Sequence, residues 1–570
     1  MSSAETKTSA DNPSVNKKKH STLVFILLGI FIPIIALGIF ILSIAHNELM
    51  LKFNESEMAP EVTDISLTAE AKLKEFDYIC ELLNENMPSL GLFKERYGVD
   101  FNENYKIYRE AIAETENNFE YYCTLKAILN DIPSCHTALT YPDHEYFGFT
   151  PSGQKLFANY NYINYTDYWK DLIDDTAAEK YSENYLTAFY FTGDRSFIIC
   201  DTLGAAVDNP RFAGAKVKSV NGLSANEYAV LPHAYSTLAY DNINNVTFRD
   251  TLIFGLDSSI GEKTSLELEL ADGTTETLDV YCGNDVDIVF SSGYASEEEE
   301  ENPQETPEYY IYEDTDRNIT YLQVDEVMDE KEQLRQDISE ISTDNIILDL
   351  RRNGGGYIQY FHESLYSPLF DEQADFTSTY YIPYGKENKK LFFSVNPITD
   401  LISKIMYPLE FSEDESLPVL YKNCRYAQFT QEISVPAHNF RDRNVYVLVG
   451  AYTASAADDL SSVIKENTDA VLLGQSSTMG EGRGSSFVEI CLPESKLTMR
   501  YYPALAYNSD GSSNSVYGTE PDIYVPVYYE NFRIKYGMLT DGTEQPEAYE
   551  NRLLYDEILL KAIEEIENDS

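Results

Sequence analysis

The chain has 570 residues, which is enough for two or three domain-sized cores. Its 95 acidic and 42 basic residues give a formal net charge of −53, which disfavours binding to nucleic acid or to anionic lipid. The seven cysteines are scattered without a CxxC pair, and no metal-ligand spacing such as HExxH is present. We therefore expect no disulfide scaffold, no nucleic-acid partner, no metal site and no cofactor.

The first predicted element is an apolar run at Thr22–Ala45 that contains no charged residue. It is long enough to span a bilayer, and Lys17–Lys19 just before it predict a cytoplasmic N-terminus. A cleaved signal peptide is the alternative, because Ser43–Ala45 offers small residues at the required spacing. The run is longer than the roughly 7–15 apolar residues usual in signal peptides. We therefore favour an uncleaved anchor, which predicts a single-pass protein of the cell membrane with its larger part extracytoplasmic.

The rest of the chain divides by composition and by the period of its apolar residues. Helical spacing dominates after the anchor, short strands begin near Phe189, and five consecutive glutamates mark a solvated linker before the largest region. The predicted divisions are a cytoplasmic N-terminus at 1–21, an anchor at 22–45, a stalk at 46–64, a mostly helical region at 65–188, a β domain at 189–290, an acidic linker at 291–308, a core at 309–530 and a helical tail at 531–570.

The β domain contains a segment, Gly214–Gly222 (GAKVKSVNG), that resembles the "GDxIxxVNG" turn of PDZ domains. Two further strands, Ser265–Leu270 and Thr275–Val280, flank Asp272–Gly273, which is a strong hairpin signal. PDZ-like modules bind extended peptides by strand addition and often capture a C-terminal carboxylate. Another kind of small β module is the alternative interpretation.

Two strand-and-turn units define the core. In the first, the apolar strand Ile346–Leu350 runs into the sequence RRNGGG, whose glycines allow close backbone approach and suit an oxyanion hole. In the second, Val445–Val449 leads to a turn at Ser455, a helix from about Ala456 to Asn467 and another strand. A serine at such a turn presents its hydroxyl above the carboxyl end of the sheet. The alternative is that Thr453 or Ser455 merely caps the helix.

The order of these parts, LDLRRNGGG followed about a hundred residues later by TASAAD, resembles the tail-specific (C-terminal-processing) and tricorn-like serine peptidase family. That family has "LDLRxNGGG" and "TxSAxE" motifs in the same order, and the resemblance covers roughly Glu308 to Tyr528. It implies an α/β fold whose peptidase core has βαβ units of the ClpP/crotonase-like type. A PDZ-like β module, an N-terminal helical region and one transmembrane helix complete the expected architecture.

The resemblance makes Ser455 the nucleophile, which then needs a base. One branch of the family uses a lysine in a "GKG" turn, but here Glu481 occupies that position, and the nearby Arg483 does not deprotonate. The tricorn-like branch uses an upstream histidine in a segment similar to "L-x-D-x-H-[ST]". In this chain the corresponding histidine is His136, although four residues rather than one separate it from Asp131. His136 is therefore the predicted general base.

Two further assignments have alternatives. His362, which follows the glycine loop, is the second choice for the base. The family places the orienting glutamate shortly before a "GxxPD" motif, present here as Gly518–Asp522, but Ser515 stands where that glutamate would fall. The orienting carboxylate is therefore predicted to be either Glu520, within the motif, or Glu481.

The resemblance thus predicts a membrane-anchored, exported serine endopeptidase that forms an acyl-enzyme on Ser455 with His136 as general base. Its oxyanion hole would use N–H groups of Gly354, Gly355 and Ala456. The expected partners are peptide or protein substrates, with their C-terminal tails as one means of binding, and the membrane, which would be contacted only through the N-terminal helix. The alternative function is a catalytically inactive, peptide-binding member of the same fold.

Overall fold

The structure is a computed structural model of the full chain. The residues it describes are 65–142, 168–173, 186–200, 212–233, 236–254, 263–281, 307–370, 375–392, 411–412, 426–434, 443–540 and 547–569. The predicted anchor at 22–45, the stalk and nearly all of the acidic linker lie outside the described residues. Within those described ranges, no helix combines the length and apolar character needed to cross a membrane.

Four helices open the described chain: Ala69–Asn86, Phe93–Tyr97, Tyr105–Glu114 and Asn118–Leu129. The first and the last begin at polar caps, because the side chain of Thr68 accepts from the Ala71 amide and that of Asn117 accepts from the Glu120 amide. Their apolar faces are buried against one another and against the residues that follow. A short loop then leads to the two-residue strand Ala138–Leu139.

The β domain is a seven-stranded antiparallel sheet. Its strands in spatial order are Thr275–Tyr281, Lys263–Glu269, Lys216–Val220, Ser196–Cys200, Leu186–Phe191 and Thr251–Phe254, and Leu223–Ser224 pairs beside Lys216–Val220. The helix Ala225–Ala229 and the two-stranded pair Leu238–Asp241 and Val246–Arg249 complete it. The predicted hairpin is present, with Thr275 opposite Glu269. The PDZ-like identity of this domain stays a prediction.

The core is built on a six-stranded sheet. Its strands in spatial order are Tyr309–Asp314, Ile319–Val324, Asn345–Asp349, Asn444–Val449, Val471–Gly474 and Ile523–Tyr524. All neighbouring pairs are parallel except the first, which is antiparallel. The central strands are buried on both faces and mostly apolar, as a sheet covered on both sides requires. These features confirm the predicted α/β class.

Helices cover both faces of this sheet. One face packs against Lys331–Glu340, Ile358–Phe361 and Ala456–Asn467, and the opposite face packs against the C-terminal helix Glu557–Asp569. A π-helical turn, His362–Tyr366, and the short helix Ser367–Leu369 continue the second of these helices. The other described helices are Lys386–Phe392, Asn514–Tyr517, Tyr529–Thr540 and Tyr549–Arg552.

Two smaller sheets flank the core. The four-stranded one contains, in spatial order, Phe411–Ser412, Tyr426–Ser434, Asp375–Pro383 and Leu505–Ala506. The three-stranded one contains Ala138–Leu139, Thr498–Tyr501 and Val488–Cys491. In this second sheet Ala138 lies opposite Arg500. The pairing therefore attaches the segment carrying His136 to the peptidase core.

Candidate active site

Ser455 occupies a strained turn between the strand Asn444–Val449 and the helix Ala456–Asn467. Its φ is 52° and its ψ is −123°, a conformation that costs a non-glycine residue about 1–3 kcal/mol. The Ser455 side chain makes no capping hydrogen bond. Thr453 does not cap the helix either, because its Oγ1 donates to the Leu350 carbonyl at 2.8 Å. The geometry therefore favours a presented hydroxyl over the capping interpretation.

The glycine loop lies directly against this turn. The Ala454 amide donates to the Asn353 carbonyl at 3.2 Å, and Asn353 Nδ2 donates to the Val324 carbonyl at 3.1 Å. Gly355 has a φ of 103°, and a Cβ built on it would lie 2.6 Å from the Ser455 Cβ. Only glycine fits here, because both the backbone conformation and the available space exclude a side chain.

The predicted oxyanion donors differ in whether their N–H groups already have a hydrogen-bond acceptor. Ala456 is the first residue of its helix, so its N–H has no acceptor within the helix. The Gly355 N–H donates to Asn353 Oδ1 at 2.9 Å. It is therefore already engaged, which differs from the expectation that it would be available to an oxyanion. Gly354 and Ala456 are the two predicted donors that remain.

His136 and Glu481, which are 345 positions apart in the chain, are in contact. The imidazole Nδ1 lies 3.1 Å from Glu481 Oε2, and the His136 backbone N–H donates to the same oxygen at 3.0 Å. The Cys135 thiol also donates to Glu481 Oε2, at 3.2 Å. Since Nδ1 faces the carboxylate, the geometry favours the tautomer in which Nδ1 carries the proton and Nε2 is the basic nitrogen.

Packing fixes the orientation of the imidazole. The His136 ring stacks on Tyr502 with centroids 5.4 Å apart, and Phe487 lies on it at 5.5 Å. Arg500 donates to the Cys135 carbonyl at 3.3 Å, which holds the adjacent backbone on the three-stranded sheet. Burial raises the pKa of the Cys135 thiol well above its usual value, and the nearby carboxylate adds to that rise. The side chain of Cys135 is therefore a neutral thiol.

The loop that carries Glu481 is hydrogen-bonded to the Ser455 turn. The Ser455 amide donates to the Gly480 carbonyl at 3.1 Å, and the Gly482 amide donates to Asp458 Oδ2 at 3.1 Å. A Cβ on Gly482 would lie 2.2 Å from the Ser455 carbonyl oxygen. Glu481 itself has a φ of 64°. The loop that carries the Glu481 carboxylate is thereby joined to the turn that carries Ser455.

Asp458 is a supporting residue that the sequence analysis missed. It is fully buried and accepts hydrogen bonds from Thr478 Oγ1 at 2.5 Å, Thr519 Oγ1 at 2.8 Å, Asn514 Nδ2 at 2.8 Å and the Gly482 amide. Burial raises its pKa, and the hydrogen bonds from the side chains oppose the rise. Its position in the first helical turn could have drawn attention to it, but its four partners come from distant segments.

The structure separates the remaining alternatives. His362 is buried, and its Nε2 lies 2.8 Å from Asp459 Oδ2. The nitrogen that faces the helix Ala456–Asn467 is therefore already engaged with a carboxylate. Glu520 is exposed and accepts from Asn242 Nδ2 at 3.2 Å. It is therefore Glu481, of the two predicted carboxylates, that contacts His136.

A buried ionic network lies beneath the glycine loop. Arg351 donates to Asp349 and to Asp556 at 2.6 Å each, and Arg552 contacts Asp556 at 3.2 Å. Although burial acts in the opposite direction, Arg351 holds the pKa of Asp556 well below its usual value. The first arginine of the RRNGGG motif thus ties the loop to the C-terminal helix.

Residues 318–525 match the model of peptidase family S41. No curated protein matches the chain significantly. Among solved structures, mature CPAF complexed with lactacystin is similar over 88% of this chain and 100% of its own, at 14% identity and a TM-score of 0.48.

Two further solved structures are similar to this chain. The photosystem II D1 C-terminal processing protease covers 80% of this chain and 94% of its own, at 13% identity and a TM-score of 0.33. A peptidase from Parabacteroides merdae ATCC 43184 covers 88% and 97%, at 14% identity and a TM-score of 0.39. The family match includes Ser455, the glycine loop and Glu481. Residues 318–525 are therefore a region of peptidase family S41, the tail-specific peptidase family, and the chain is a serine-type peptidase.

Proposed function

We propose that this chain is an endopeptidase in which Ser455, His136 and Glu481 act as a catalytic triad. Ser455 Oγ attacks a peptide carbonyl, His136 Nε2 takes its proton and returns it to the leaving amine, and Glu481 holds Nδ1. The N–H groups of Gly354 and Ala456 stabilise the oxyanion of the tetrahedral intermediate. An acyl-enzyme forms on Ser455 and is then hydrolysed.

One observation carries this proposal. The His136 Nδ1 to Glu481 Oε2 contact of 3.1 Å joins a base to an orienting carboxylate. The Ser455 amide is bonded to Gly480, the residue next to that carboxylate. A structural histidine would not need a buried carboxylate that is tied to the strained turn of a serine. The lysine-dyad alternative has no support here, since Lys465 pairs with Asp522 at 2.9 Å.

The substrate and location belong to the same proposal. The β domain at 186–281 would hold the extended C-terminal tail of a protein or peptide substrate by strand addition. The apolar run at 22–45 would anchor the chain in the cell membrane, with the N-terminus cytoplasmic and the peptidase extracytoplasmic. Membrane fractionation of the full-length chain, compared with a variant lacking residues 22–45, tests the anchor: equal distribution of the two would contradict it.

The triad is tested by the rate at which a fluorophosphonate probe labels the full-length protein. Ser455→Ala should abolish labelling, and His136→Ala should slow it by about 10²–10⁴-fold, the usual contribution of a general base. Ser461→Ala is the matched control, because the Ser461 Oγ donates only to the Ala457 carbonyl of the same helix. A labelling rate for His136→Ala close to that of the wild type would show that another residue is the base. Failure to label the folded wild-type protein would favour the inactive, peptide-binding alternative.

A further inference from the structure

Cys135, His136 and Glu481 form a compact cluster of three different metal-ligating atoms. Cys135 Sγ lies 3.2 Å from Glu481 Oε2 and 3.4 Å from His136 Nδ1, and the last two atoms are 3.1 Å apart. Among the described residues, these are the three whose potential metal-binding atoms all lie within 4.8 Å of one another. Without a cation, hydrogen bonds alone join these three atoms.

The spacing of the cluster is close to that of a zinc site. Zn²⁺ binds cysteine sulfur at about 2.3 Å and histidine nitrogen or carboxylate oxygen at about 2.0–2.2 Å. In tetrahedral geometry two such ligands lie roughly 3.3–3.7 Å apart. The three atoms therefore need to separate by only a few tenths of an ångström. Thiolate, imidazole and carboxylate together also match the ligand types that Zn²⁺ prefers.

A second observation concerns the carboxylate that would bind the cation. Glu481 is only 2% exposed, yet its Oε1 has no hydrogen-bond partner among the described residues. Its other oxygen accepts from the thiol, the imidazole and a backbone amide. A buried carboxylate oxygen left without a donor is costly. A divalent cation bound by one thiolate, one carboxylate and one neutral imidazole would give a site of zero net charge.

We propose that Cys135 Sγ, His136 Nδ1 and Glu481 Oε2 form an inhibitory binding site for Zn²⁺, with water as the fourth ligand. On binding, the thiol proton leaves to solvent, and the proton on Nδ1 is replaced by one on Nε2, so that one proton is released overall. A neutral imidazole bound to zinc through Nδ1 carries its proton on Nε2 and cannot accept another. The inhibitory part rests on the proposed function, in which Nε2 is the base, whereas the binding part does not.

Binding is measured first, without reference to activity. The full-length protein is freed of metal with a chelator and titrated with Co²⁺, whose thiolate complexes absorb in the near ultraviolet. We expect a cobalt–thiolate band in the wild type, displaced by Zn²⁺. Cys135→Ser should weaken binding by at least about 100-fold, since losing even an outer-shell partner of a metal ligand costs about 10–100-fold. Cys491→Ser is the matched control, because its thiol contacts only the carbonyls of Leu492 and Lys496.

Fluorophosphonate labelling of the same samples then measures whether Zn²⁺ binding prevents His136 from acting as the base. Labelling of the wild type should fall with the midpoint of Zn²⁺ binding and recover with chelator, whereas labelling of Cys135→Ser should not respond at that concentration. The absence of a cobalt–thiolate band in the wild type, or its persistence in Cys135→Ser, would overturn the site. A site that fills without slowing labelling would overturn the inhibition. Failure to label metal-free protein would instead count against the proposed triad and leave the spectroscopic test intact.

Discussion

Gly355 and Ser455 approach each other more closely than any side chain at position 355 would allow. A methyl group there would meet the Ser455 Cβ, the Ala454 carbonyl oxygen and the Ala456 nitrogen at 2.6–2.8 Å. Two of these three atoms are backbone atoms at the start of the nucleophile helix, so relief requires the turn itself to move. The size of residue 355 therefore controls the position of the serine.

We accordingly expect Gly355→Ala to slow fluorophosphonate labelling by at least about 10²-fold, comparable with the loss of an oxyanion donor. Gly450→Ala is the control, because its added methyl would meet only Arg351 Cγ at 3.9 Å. Labelling rates that fall equally in the two variants would show that the effect is not specific to the contact with Ser455.

The two carboxylates predicted for the third position can be told apart by substitution. Glu481→Gln should reduce the labelling rate by up to about 10⁴-fold, because an amide no longer holds the imidazole in the required tautomer. Glu520→Gln should leave the rate near that of the wild type, since the Glu520 carboxylate is exposed and bonded to Asn242. The reverse order of the two rates would assign the role to Glu520.

At the level of elements, the helix Ala456–Asn467 is held at its N-terminus by Asp458. Four donors from three other segments converge on this one carboxylate. Asp458 therefore joins the Glu481 loop and the turn at Thr519, through hydrogen bonds, to the helix that begins just after Ser455. The loop with Glu481 and the helix that follows Ser455 are thus joined through this one carboxylate.

Asp458→Asn should destabilise the protein by several kcal/mol, because each buried hydrogen bond to a charged group contributes about 1.5–3 kcal/mol. The thermal midpoint and the urea midpoint measure this loss. Asp469→Asn, an exposed change close to the end of the same helix, should shift neither midpoint measurably. Equal midpoints for the Asp458 variant and the wild type would show that the four contacts carry little net stability.

Much of this element could be predicted from the sequence. The apolar run of Asn444–Val449 and the helix Ala456–Asn467 were predicted almost to the residue, because a buried parallel strand and an amphipathic helix have strong local signals. The partners of Asp458 and the contact between His136 and Glu481 could not be predicted. They depend on how the 345 positions between those residues fold, and neither period nor spacing carries that information. A search for metal ligands by spacing missed the Cys135 cluster for the same reason.

At the level of the whole molecule, the β domain joins the catalytic region through a buried junction. Arg249 lies on the β domain and pairs with Asp131, and it also donates to the Asn130 carbonyl at 3.2 Å. Asn130 Nδ2 in turn donates to the His233 carbonyl at 3.1 Å. Asn130 and Asp131 shortly precede His136 in the chain. The junction therefore links the β domain to the start of the segment that carries His136.

His233 makes this junction sensitive to acid. Burial, reinforced by the charge of Arg249, lowers the pKa of His233 from 6.5 to about 3. The unfolded chain binds the proton at higher pH than the folded protein does, so stability falls as the pH drops from about 6.5 towards about 3. The slope is up to about 1.4 kcal/mol per pH unit. His233→Gln should reduce this slope in urea titrations, and identical slopes for variant and wild type would contradict the assignment.

The distance along the chain between the imidazole and its carboxylate has a consequence for synthesis. A chain is made from its N-terminus, so the segment with His136 exists long before the strands and loop that contain Glu481. Until the later segment has been made and has folded against the earlier one, Ser455 and His136 are not held in a fixed position relative to each other. With the proposed triad, peptide cleavage would therefore begin only after the segment with Glu481 has folded against the segment with His136.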